Sequence, residues 1–176
     1  MSRKVILYVA VSLDGYIADR HGNVAFLEGK DPSYDGDYGY QEFLSGVDTV
    51  LMGRKTYQQI MDELSPDDWP YPDLKSYIFT RHEIDDRRGI AFVQKKPTKF
   101  VAELKEKPGR NIWVCGGSDI ANQLISAGLI DEYHLHIMPV ILGGGIPLFN
   151  RPYPDLHLCI EAIHEVNGVI DVTYSC

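Results

Sequence analysis

Short apolar runs of strand length alternate with stretches of helical spacing along almost all of this chain, which restricts its fold more than any other feature. The run VILYVAV at 5–11 is continuous, branched and aromatic, as expected of a strand covered on both faces. The pattern predicts further strands over 47–52, 76–80, 90–93, 111–115 and 131–140. Helices are predicted over 40–45, 54–64 and 98–107, and from Ser118 as an N-cap through residue 127. Pro97 and the Pro108-Gly109 pair bracket the third of these, and Gly128 stops the fourth. Two final runs, 156–166 and 169–175, meet at Asn167-Gly168 and predict a closing hairpin. Strands alternating with helices, then a terminal antiparallel pair, predict one domain: a three-layer α/β/α sandwich on a mixed, mostly parallel sheet.

Charge narrows the function. The formal net charge is −8, from 17 basic and 25 acidic residues, so the chain lacks the broad positive field that nucleic acid or an anionic membrane requires. Its apolar runs are too short to span a bilayer. The three cysteines, Cys115, Cys159 and Cys176, are odd in number and form no Cys-x-x-Cys, and the chain enters its first strand without an apolar leader. The expectation is a reducing, cytoplasmic setting.

Two segments repeat one local design, a strand that ends in glycine where a helix begins. The first is Leu51-Met-Gly-Arg-Lys-Thr-Tyr57 and the second Val114-Cys-Gly-Gly-Ser-Asp-Ile-Ala121. Glycine lets backbone approach a ligand, and a helix start offers unpaired N–H groups and the positive end of its dipole. Arg54 and Lys55 add formal charge, so a dinucleotide pyrophosphate fits between the two helix starts; the plain alternative is a pair of tight packing turns. Arg81, after a strand in Phe79-Thr-Arg-His82, is either a partner for a terminal phosphate or a surface arginine.

MGRKTY, FTR and VCGGSDI, in this order, resemble the cofactor-binding elements of dihydrofolate reductases. SLDGYIA and AGLIDEYHLHIMPVILGGGIPLF resemble the reductase domain of bifunctional riboflavin-biosynthesis deaminase/reductases, particularly its stand-alone bacterial forms. The resemblance covers nearly the whole chain. It implies a dihydrofolate-reductase-like fold, NADPH as cofactor and a homodimer. By the same resemblance, Gly53, Arg54, Lys55 and Thr56 hold the pyrophosphate and adenosine side, and Thr80 and Arg81 face the adenine-ribose phosphate. Gly116, Gly117, Ser118, Asp119 and Ile120 line the pyrophosphate and nicotinamide ribose, and Ala10 and Ile17 flank the nicotinamide ring. Asp37 stands nearest the position of the acidic residue that supports protonation in dihydrofolate reductases, within an acidic loop that includes Asp31, Asp35 and Glu42. Cys115 replaces the glutamate usual before the paired glycines in the riboflavin-pathway reductases.

The reading that follows is hydride transfer from NADPH to a small, pterin- or pyrimidine-like substrate. Alternatives are reduction of a ribosylaminopyrimidine or of dihydrofolate, or a nucleotide-binding sensor without catalysis. The loop over 12–18 is expected to act as a lid, and residues 133–137 to offer a dimer interface. His134 and His136 share a strand face, but no third ligand has metal-site spacing, so a core or interface role is expected.

Overall fold

The computed structural model describes residues 3–27 and 29–176. Within them, β3 (Val47–Gly53), β6 (Asn111–Gly116) and β1 (Val5–Ser12) form the middle of an eight-stranded sheet. β4 (Lys75–Phe79) and β5 (Ile90–Val93) extend it on one side; β7 (Glu132–Met138), β10 (Val169–Ser175) and β9 (Cys159–Val166) extend it on the other. The order is β5-β4-β3-β6-β1-β7-β10-β9. All neighbours are parallel except the last two pairs, where β10 runs antiparallel to β7 and β9 to β10. β2 (Tyr16–Ala18) and β8 (Ile146–Pro147) form a separate antiparallel pair.

Each face of the sheet buries its own core. On one face, α3 (Pro97–Lys105) and α4 (Ser118–Ser126) bring Val101, Leu104, Leu124 and Ile125 against Leu7, Leu51 and Val114. On the other, α1 (Tyr40–Gly46) and α2 (Arg54–Gln59), which continues as a π turn through Ile60–Leu64, cover Val50, Met52, Ile78 and Trp113. This is the expected three-layer α/β/α sandwich with a C-terminal antiparallel hairpin.

Four details differ from the sequence reading. Ser118 is the first residue of α4, not its N-cap; Gly117 takes that place, and Ser118 Oγ instead accepts from Asn150 Nδ2 at 3.1 Å. β7 stops at Met138 because Pro139 has no N–H to donate to the ladder. β9 begins at Cys159 rather than 156, since its partner β10 runs out at Ser175, opposite Cys159. Residues 12–18 are not a free lid. Leu13 N donates to Val140 O at 2.8 Å, Leu148 N to Gly15 O at 2.9 Å, and Asp14 binds the backbone of the β7–β8 connection.

Candidate functional site

The two glycine-ended strands are neighbours. β3 and β6 run parallel with Met52 in register with Gly116, so both strand-to-helix turns open at one edge of the sheet. A Cβ on Gly117 would stand 3.4 Å from Thr56 Oγ1, and one on Gly53 3.4 Å from Ile120 Cγ1. Gly53, Thr56, Gly117 and Ile120 therefore bound a crevice between the starts of α2 and α4, in which an added Cβ would make ordinary van der Waals contact with the far side. Gly116 has φ 143°, a conformation that residues with a Cβ rarely adopt. Neither helix start carries a side-chain cap, which leaves first-turn N–H groups for an anion.

β4 continues this edge. Gly53 pairs with Phe79, so Arg54 and Thr80 leave the sheet side by side. Thr80 is buried, and its Oγ1 accepts from His82 N at 3.1 Å. Arg54, Lys55 and Arg81 are exposed, and no ion pair among the described residues involves them. Asp119, in the first turn of α4, is ion-paired with Arg151 and accepts from Gln123 Nε2 at 2.9 Å, which offsets its charge beside the crevice. Ile17, on β2, packs half-buried against the α3/α4 core. Ala10 lies on β1, one strand beyond β6.

Beside Ala10, on the α1/α2 face, is a cleft of about 200 Å³. Tyr8, Tyr38 and Tyr40 give it aromatic walls, Met138 and Val169 an apolar base, and Asp37 and His136 its ionisable groups. Trp113 stands behind the walls, with ring centroids 6.1 Å from Tyr8 and 6.0 Å from Tyr40. Asp37 does reach this cleft, yet it is exposed and its oxygens are occupied: Oδ2 accepts from Gln41 N at 2.8 Å and Oδ1 from Gly39 N at 3.0 Å. These bonds hold its carboxyl below the usual carboxylate range, so it is ionised at neutral pH. Burial pushes the Cys115 thiol up to about 12, which keeps it a neutral thiol rather than a thiolate.

His134 Nε2 lies 3.1 Å from Glu132 Oε2, and no cluster of three metal-ligating side chains occurs among the described residues. Sequence reasoning noted that His134 and His136 share a face but missed what β10 sets against it. Asp171 is in register with His136, with 3.9 Å between Asp171 Oδ1 and His136 Nδ1. No local signal carries that pairing, because it depends on strand register.

Sheet order, terminal hairpin and paired glycine turns together define a domain of dihydrofolate-reductase-like fold. The model of the RibD C-terminal domain matches residues 3–167, and the chain belongs to that family. Its relatives include two uncharacterised Bacillus subtilis proteins. YwjB is 35% identical over 175 residues, covering 99% of this chain and 98% of its own. YyaP is 37% identical over 184 residues, covering 98% and 94% respectively. Among solved structures, a Shewanella sp. PV-4 protein assigned to riboflavin biosynthesis superposes with TM-score 0.84 at 30% identity, covering 99% of this chain and 98% of that one. The Thermotoga maritima diaminohydroxyphosphoribosylaminopyrimidine deaminase/5-amino-6-(5-phosphoribosylamino)uracil reductase shares the fold, with TM-score 0.72 at 14% identity over 99% of this chain and 56% of that one.

Proposed function

We propose that the protein is a reductase that binds NADPH across the crevice and reduces a small planar heterocycle, pterin- or pyrimidine-like, held in the aromatic cleft. The observation that carries this reading is the set of unpaired cations, Arg54, Lys55 and Arg81, at one sheet edge beside two uncapped helix starts. Those residues suit a pyrophosphate and a second, terminal phosphate. NADPH would supply hydride; the chain's own task is to hold it, to orient the substrate and to exclude water. Family membership favours a substrate of the riboflavin pathway. Among the described residues, the cleft lining contains no lysine or arginine to hold a phosphate, which favours a ring without a phosphoribosyl group. A reducing, cytoplasmic setting agrees with the three free thiols, and no helix among the described residues is long and apolar enough to cross a membrane.

The test is a titration with NADPH and NADH followed by tryptophan fluorescence, on the wild type and Arg81→Ala. Losing one charge-assisted phosphate contact costs roughly 1.5–3 kcal/mol, about tenfold or more in affinity. NADPH should bind more tightly than NADH, and Arg81→Ala should abolish the preference. Equal affinity for both nucleotides in the wild type would remove the role given to Arg81, and absence of binding would remove the reductase reading.

A further inference from the structure

His136 carries a polar atom that the fold leaves unpaired. The residue is 7% exposed, and its Nε2 is buried with no hydrogen-bond partner. Buried ring nitrogens almost always find a partner, so an unmatched one beside a cleft points to a group supplied from outside the chain. The setting explains its orientation. His136 projects to the same face as Tyr8, its ring centroid 4.7 Å away, and lines the cleft with Tyr40 and Met138. On one side it is in register with Ala10, and on the other with Asp171. Neighbouring strands are about 4.8 Å apart, so His136 stands one strand from the position against which the nicotinamide is expected.

We propose that His136, with Asp171 behind it, is the proton donor to the ring bound in the cleft. This rests on the reductase reading. Bound NADPH would supply hydride to the substrate's C=N or C=O carbon; the π pair would then move onto nitrogen or oxygen, and His136 would give that atom its Nε2 proton. The neutral imidazole left behind is reprotonated from solvent, so one hydride and one proton are added in all. Asp37 suits the step less well, because its carboxylate is already bonded to two backbone N–H groups.

The groups facing the imidazole are Asp171 on β10, Tyr8 on β1, His134 on its own strand, and Asp37 and Tyr40 across the cleft. Burial lowers its pKa from the ordinary histidine value, Asp171 raises it and His134 lowers it, with burial the largest effect. Donation therefore weakens as pH rises through the imidazole pKa.

The experiment follows the labelled His136 imidazole by NMR against pH, with and without pterin as the probe, in the wild type and Asp171→Asn. NADPH and pterin affinities are measured in parallel for the wild type and His136→Gln. Expected results are a His136 resonance that moves on adding pterin, with its pKa raised, and a pKa in Asp171→Asn lower than in the wild type. His136→Gln should bind pterin at least tenfold more weakly at pH 6 while keeping NADPH affinity within twofold. A His136 pKa indifferent to both pterin and Asp171→Asn, or wild-type pterin binding by His136→Gln, would overturn the proposal. The wild-type titration and Asp171→Asn decide the matter if His136→Gln fails to fold. Failure of the wild type to bind NADPH would sink the reductase reading instead, and it is read independently of the imidazole.

Discussion

At the scale of single residues, burial separates polar groups the fold has satisfied from those it has left open. Asn122 is of the first kind. It is fully buried, donates through Nδ2 to Ser118 O at 2.7 Å and Leu148 O at 2.6 Å, and accepts from Asn150 N at 3.2 Å and Tyr153 OH at 3.0 Å. Asn122→Ala strands several of these partners away from water, at about 1–3 kcal/mol for each that stays unsatisfied. The variant should lose on the order of 2–4 kcal/mol in urea unfolding, and a loss under about 0.5 kcal/mol would mean that water takes over the bonds. His136 Nε2 is of the second kind, which is why it belongs with a ligand and Asn122 with the architecture. The two differ in legibility for the same reason. Gly53, Gly116 and Gly117 announce themselves locally, because a strand, a glycine and a helix start are consecutive in sequence. The pairing of His136 with Asp171, and the bonding of Asn122 to residues 26 to 31 positions away, exist only once the sheet is assembled.

The connections between elements hold the site in shape, and the turn after β1 shows how. Asp14 Oδ1 accepts from Ser12 Oγ at 2.6 Å and from Leu142 N at 3.1 Å, while Oδ2 accepts from Gly143 N at 2.8 Å. The Ser12 hydroxyl first, then the two backbone amides, hold the Asp14 pKa below its usual 3.8. A depressed carboxylate pKa stabilises the fold above the unfolded value, and that contribution disappears as pH falls through the folded one. The amide resonances of Leu142 and Gly143 should therefore titrate together with a midpoint below 3.8, and Asp14→Ala should abolish the titration while increasing exchange of both amides. Independent midpoints would show that Asp14 does not join the two segments. The sequence suggested a mobile loop here because Asp14-Gly15 reads as a turn and its partners are more than a hundred residues away. Elements bounded by their own chemistry were legible: β5 covers the predicted 90–93, and α3 begins at Pro97. Elements bounded by a partner were not. β2 and β8 are short, and neither has a pattern of its own until they pair.

Across the whole molecule, α3 and α4 cover only part of their face of the sheet. Within residues 133–137, Tyr133 and His136 are buried, while Leu135 and Ile137 are half-buried on this face. The exposed apolar residues lie further out. Ile163, opposite Val172, is 57% exposed; Ile160, opposite Tyr174, is 59% exposed; and Ile170, opposite Ile137, is 38% exposed. Ile163, through Val172, is in register with half-buried Leu135 and Val9, and with Ile160 and Ile170 on neighbouring rungs it continues one apolar strip to the open edge of β9. A long apolar edge left in water invites pairing with another strand, and a protein that keeps one generally covers it. We propose that a second copy of the chain, applied about a two-fold axis, covers both strips at once with the same residues. The expected particle in light scattering after size exclusion is about twice 19.9 kDa. Ile163→Lys, which places a charge in the strip without touching the crevice or the cleft, should shift it to the single-chain mass and leave NADPH affinity unchanged. A wild-type chain that stays at 19.9 kDa at tens of micromolar would exclude the pair.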